Sequence, residues 1–267
     1  MTALAAPATL SPGPRALARL LLRLHRPALF LWVLLLLALS AVLLFVGGPL
    51  ADDAALGWRE YHACVPGKRC SYGQEAILLH RDVYAYVTSV TLAVPFLVAA
   101  WAGASLTGRE IENGTAQLVW TQGLSPERWF AAKLALPAVA VAAGAGLLAA
   151  LHTAAWSSGR GRIDNAKPWD DTATFYANGP AFVALCLAGL VAGALAGLAW
   201  RRTLPALVTA PAAAALVWLV ADQAVSVLPV SHFWPVQLMT AALLLAVAAA
   251  LACAGFRLIR HGTGALA

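Results

Sequence analysis

The chain has 267 residues, of which 61% are hydrophobic and 11% charged, and its 18 Lys and Arg against 12 Asp and Glu leave a net charge of +6. Soluble domains carry about a quarter of their residues charged, so with a mean hydropathy of +0.75 there is too little polar surface here to cover a core. The composition excludes an ordinary soluble enzyme or binding domain and predicts an all-α membrane protein, because the apolar residues fall in blocks long enough to cross a hydrocarbon layer of about 30 Å.

Residues 1–26 read as a cytoplasmic tail with a helix of its own. Arg15, Arg19, Arg23 and Arg26 fall on one helical face, and Leu17, Leu20, Leu21 and Leu24 on another. Ser11-Pro12 supplies an N-cap and a first-turn proline. The pattern predicts a basic amphipathic helix lying on the inner leaflet, arginines towards anionic headgroups. The same arginines also give a positive-inside signal.

Six spans are predicted between residues 27 and 256: Pro27–Gly48, Tyr84–Thr107, Phe130–Ala155, Ala177–Trp200, Leu204–Ala221 and Leu238–Phe256. The first is no cleavable signal, since Leu29–Val46 is too long for one and no small-x-small site follows Gly47-Gly48-Pro49. Pro95, Pro137 and Pro211 fall inside spans, where neighbouring helices can satisfy the freed carbonyls. Between the spans lie outer loops at 49–83 and 156–176, a cytoplasmic loop at 108–129 and an outer segment at 222–237; a tail, 257–267, follows. Four arginines before span one, the Arg201-Arg202 turn and the basic C-terminal tail place both termini in the cytoplasm.

That orientation puts Cys64 and Cys70 on the oxidising side, flanking Val65-Pro66-Gly67-Lys68-Arg69, and a disulfide is expected. A metal site would want more ligands, and only His62 is near. Cys186 and Cys253 sit in apolar runs as small hydrophobes. In span four, Gly189, Gly193 and Gly197 form a small-residue stripe that lets another helix approach closely, within the subunit or across a dimer. Trp129, Trp156 and Trp200 fall near span ends, as interfacial belts require.

Signatures of covalent chemistry do not occur. Lys68, Lys133 and Lys167 are followed by Arg69, Leu134 and Pro168, so there is no phosphate loop, and neither His-Glu-x-x-His nor Gly-x-Ser-x-Gly is present. No catalytic residue, metal site or cofactor is expected in this chain. The cations lie beside spans, where the membrane explains them, so nucleic acid is not a partner. Asp222 stands about 27 Å along the helix from Leu204, at the outer end of span five rather than at the midplane, and His152 lies near the outer end of span three. Both positions weigh against an ion-coupled carrier.

The 108–129 loop is the informative stretch. Asn113-Gly114 breaks the helix descending from the membrane, Thr115 can cap a short amphipathic segment ending at Gly123, and Ser125-Pro126-Glu127 opens span three. A stubby helix results, with Leu118, Val119 and Trp120 as its apolar content. An exposed Trp there would suit a partner's groove; the alternative is a helix lying against the bilayer. The Glu-x-Glu-x-Gly-Thr pattern, Thr-Gln-Gly, and Ser-Pro-x-Arg-Trp with a following lysine resemble the ABC-2 family of transporter permeases, and in particular actinobacterial members in which Trp-Thr-Gln follows the Gly-Thr. The resemblance covers essentially the whole chain.

The resemblance implies a permease of an ABC exporter whose ATP and Mg are held by a separate ATPase subunit, working with a second permease copy or a related subunit. It implies that the loop carries a coupling helix, with Glu110, Glu112, Gly114 and Thr115 as motif residues and Trp120, Thr121 and Gln122 as the docking face. It also implies short re-entrant outer helices within Asp222–Pro235. Span walls with Trp32, Phe96 and Trp101 favour a hydrophobic or amphipathic cargo. The rival expectation is a membrane anchor or sensor that recruits a cytoplasmic protein through the same loop.

Overall fold

A computed structural model describes residues 26–226 and 232–264. Every element among them is a helix: α1 (Arg26–Gly47), α2 (Pro49–His62), α3 (Gln74–Trp101), a π-helical segment (Ala102–Gly108), α4 (Arg109–Glu112), α5 (Thr115–Thr121), α6 (Pro126–Gly159), α7 (Thr172–Ala177), α8 (Gly179–Trp200), α9 (Thr203–Ser226) and α10 (Phe233–Gly264). Among the described residues six stretches are long and apolar enough to cross a bilayer, so the chain is a multi-pass membrane protein. Arg15, Arg19 and Arg23, with the amphipathic helix expected around them, lie outside the described residues; Arg26 opens α1, exposed.

Span four, α8, is the most enclosed of the six. It is apolar around its whole circumference, which is the pattern of a helix surrounded by other helices. Its glycine stripe meets span two within the same chain. A Cβ on Gly189 would stand 2.6 Å from the Pro95 carbonyl oxygen, on Gly193 2.2 Å from that of Ala99, and on Gly197 2.1 Å from Thr107 Oγ1. Thr107 Oγ1 donates to the Ala194 carbonyl at 2.9 Å across this contact. The largest core cluster joins spans one to four through Leu43, Val98, Leu148, Phe182 and Leu190.

The stretches expected as outer loops hold more helix than expected. Within 49–83 only residues 63–73 leave the helices, because Pro49 restarts the chain one residue after α1 and the Leu50, Ala51, Ala54 and Ala55 face of α2 is buried. That face is too short and too interrupted by Asp52, Asp53, Arg59 and Glu60 to register as hydropathy, yet its apolar spacing is helical. Cys64 and Cys70 close the α2–α3 turn as a disulfide, with Cα atoms 5.6 Å apart; His62 pairs instead with Asp164 at 2.8 Å. In 156–176, α6 runs on to Gly159 before α7 begins. Of 222–237, residues through Ser226 continue α9 and those from Phe233 begin α10; the centre of the expected re-entrant segment, 227–231, lies outside the described residues.

Two of the three expected belt tryptophans are interior. Trp129 and Trp156 are buried, and the Trp156 indole donates to the Lys167 carbonyl at 2.9 Å; Trp200 is exposed. Indole N–H groups that find a protein acceptor have no need of the headgroup layer.

Candidate functional site

The 108–129 loop is built by local signals on both sides of α5. The π-helical segment, whose backbone hydrogen bonds span five residues in place of four, delivers the chain to Gly108, whose missing side chain leaves room for the Gly103 carbonyl, 2.6 Å from where a Cβ would be. After α4, Gly114 takes φ +71°, a left-handed turn that suits glycine, and the chain reverses into α5. Thr115 does not cap that helix as expected: Gly114 occupies the cap, and the Thr115 hydroxyl donates back to the Glu110 carbonyl at 3.1 Å. Gly123, at φ +93°, ends the turn after α5. Ser125 caps α6, its Oγ accepting from Arg128 N at 3.3 Å, with Pro126 at N1.

The two motif glutamates reach to different spans, Glu110 from a partly buried position and Glu112 from an exposed one. The Glu110 carboxylate accepts from Lys133 Nζ through one oxygen and from Trp129 Nε1, at 3.2 Å, through the other. Lys133 is only 3% exposed, so it is an ammonium taken out of water and matched by a charge, the arrangement burial demands. Trp129 and Lys133 stand one turn apart on α6 and present both donors to the same acid.

Glu112 reaches span five. Its Oε2 accepts from Thr203 N at 2.8 Å and from Thr203 Oγ1 at 2.5 Å, a contact across 91 residues of sequence. Thr203 is the first residue of α9, where backbone N–H groups lack helical partners and a negative charge is favoured. The preceding α8–α9 turn is tight: Arg201 takes φ +53°, unusual for a residue with a side chain, and its N–H caps Gly197.

Beneath the glutamates, α5 rests on a core of Ala116, Trp129, Phe130, Ala194, Leu198 and Ile259, with Val119 and Trp120 packed against it. Trp120, expected as an exposed knob, is half-buried and sits edge-on to Trp129 with ring centroids 5.6 Å apart. The face left open is Gln117, Leu118, Thr121 and Gln122, and its apolar centre is Leu118, 59% exposed. Glu127 of the first turn of α6 pairs with Arg260 near the end of span six. The loop is thus fastened to the ends of spans three, four, five and six. Sequence spacing marks the caps and breaks, but no local signal could have shown that Glu112 meets Thr203.

On the opposite side, His152 is buried with both ring nitrogens engaged: Nε2 lies 2.9 Å from Thr88 Oγ1 and Nδ1 2.7 Å from Asn178 Oδ1. Asp171 caps α7, accepting from Thr174 N at 3.1 Å and Thr174 Oγ1 at 3.0 Å. Partial burial pushes its carboxyl up, but the Thr174 hydrogen bonds and the Lys167 ammonium outweigh it and hold the pKa below the usual value. Among the described residues no three of His, Cys, Asp and Glu gather as a metal site would need.

Neither a curated protein nor a solved structure matches the chain. The profile of one family, ABC-2 membrane transporter related, matches residues 33–226, from within the first span to the end of the fifth and through the whole of the α4–α5 loop. The chain therefore belongs to the ABC-2 membrane transporter related family, as a membrane-embedded permease of the ABC-2 type.

Proposed function

We propose that this chain is the permease subunit of an ATP-driven exporter of hydrophobic or amphipathic cargo, and that a separate ATPase, carrying ATP and Mg, docks on the loop at Gly108–Trp129. The carrying observation is the way α5 is held: a short helix with an open face of Gln117, Leu118, Thr121 and Gln122, and with Glu110 and Glu112 reaching back to Lys133 at the start of span three and Thr203 at the start of span five. A push on α5 passes into α4, which carries both glutamates, and reaches those spans through charge-assisted hydrogen bonds, which are shorter and stronger than neutral ones. Trp120 serves this reading by bracing α5 against Trp129, and Leu118 takes the place of the docking knob.

The permease supplies two arrangements of spans with different affinities for cargo, not covalent chemistry. It acts with a second copy or a related subunit, both termini in the cytoplasm of a bacterial cell and the Cys64–Cys70 turn outside. The permease reading is favoured over an ion-coupled carrier because both His152 nitrogens are already engaged by Thr88 and Asn178. The test is co-purification from native membranes. A subunit with a phosphate-loop ATPase sequence is expected with the wild-type chain and is expected to be lost with Leu118→Glu, while Leu216→Ala, a control on the exposed face of span five, keeps it. Retention of the ATPase by Leu118→Glu would contradict the docking assignment.

A further inference from the structure

A groove of about 330 Å³ lies between spans one, two and three, outside the loop site. Its volume is within the range of small-molecule sites. Val94, Val98, Pro137 and Val141 form a buried floor, and Leu31 and Leu97 at the rim are exposed towards the bilayer. The groove lies in the loop-side half of the membrane, because Ala28 and Leu35 belong to the first turns of α1 and Trp101 is the last residue of α3 before the π-helical segment.

The wall of this groove is fixed. Trp32 Nε1 donates to the Ala140 carbonyl at 3.2 Å, and the ring lies in a notch left by Gly144, where a Cβ would come within 2.6 Å of Trp32 Cζ2. The indole N–H is therefore spent on the protein, and the lining residues, from Ala28 to Val141, are all apolar. A ligand seated here can bury no hydrogen-bonding group without penalty, which selects a hydrocarbon chain. Arg26, exposed, stands two residues before Ala28 on the loop side of the mouth, about 3 Å along the helix, where it can meet a phosphate headgroup.

We propose that this groove is a binding site for one acyl chain of an anionic phospholipid, drawn from the leaflet on the loop side. Between lipid and protein the hydrophobic effect gives no preference, so retention rests on close packing of the chain against the pinned Trp32 wall and the buried valines. The inference concerns lipid binding by the chain itself and does not depend on an ATPase partner.

The full chain in vesicles of phosphatidylethanolamine and phosphatidylglycerol, with a trace of phosphatidylglycerol bearing a diazirine in one acyl chain, tests it. After photolysis and peptide mapping, label is expected to concentrate on residues 28–35, 94–101 and 136–141. It should exceed label on the exposed Leu204–Leu216 face of span five by about tenfold, the ratio for a 1.4 kcal/mol preference. Ala140→Phe and, independently, Ala28→Phe fill the groove and should bring that label down to the span-five level while the thermal transition stays in place. Even labelling of all lipid-facing helices, or groove labelling untouched by both filled variants that still fold, overturns the proposal. So does a cross-link between two copies from Leu31→Cys in a Cys253→Ser background, which would make the groove a protein–protein contact.

Discussion

At the scale of single residues, the loop is governed by where two carboxylates find their donors. Glu110 and Lys133 form a buried pair, and removing one member leaves an unmatched charge, at about 3 kcal/mol. Glu110→Ala or Lys133→Ala is therefore expected to lower the thermal transition of the purified protein sharply, and Glu110→Leu with Lys133→Met to recover most of it. A loss in the double variant equal to the sum of the two single losses would show that the pair is not coupled. Glu112 acts on an exposed helix start, so Glu112→Ala should lower the thermal transition less than Glu110→Ala does, and Thr203→Val should add little to it in a double-mutant cycle. Asp171 supplies the pH dependence. Its folded pKa lies below the unfolded one, so its contribution is complete above the unfolded value and is lost as the pH falls through the folded one. A thermal melt series should show wild type losing its advantage over Asp171→Asn in that acid window, and a constant difference down to the lowest pH would contradict the assignment. The chain order of the motif was legible at this scale; the partners of its glutamates were not, because they lie 23 and 91 residues away.

At the scale of elements, the six spans were legible because long apolar runs have one outcome in a bilayer. Their ends were not. Helical hydrogen bonding continues past the point where hydropathy fades, as in α2, whose polar face carries Asp52, Asp53 and Arg59 while Ala51, Ala54 and Ala55 are buried. The caps were marked in part: Gly123 and Ser125 act within a few residues of themselves, whereas the cap expected at Thr115 falls on Gly114, one residue earlier. The Gly189, Gly193 and Gly197 stripe could be read as a packing face but not assigned a partner; in the structure it abuts Pro95, Ala99 and Thr107 of its own chain. Gly193→Ala would force its Cβ against the Ala99 backbone and is expected to cost about 2 kcal/mol. Gly146→Ala meets nothing within 4 Å and should raise stability by about 0.5 kcal/mol through helix propensity. Thermal melts in one detergent compare the two, and equal effects would show that span packing does not limit stability.

At the scale of the whole molecule, two ends are fixed by different chemistry. On one side a disulfide closes the α2–α3 turn, and the ion pairs His62–Asp164 and Arg162–Asp52 lie beside it; on the other, carboxylates of the α4–α5 loop and of α6 fasten the span ends together. In intact cells a membrane-impermeant maleimide should label Cys64 and Cys70 only after reduction, and labelling of both without reductant would remove the disulfide and its oxidising side from the account. The loop side bears the central claim, that an ATPase drives this permease through α5. A photo-cross-linking residue placed at Leu118 in native membranes measures that contact directly. The account predicts a cross-linked product that contains a phosphate-loop ATPase and is not formed from the same residue placed at Leu31. A product without an ATPase, or equal products from both positions, would contradict it.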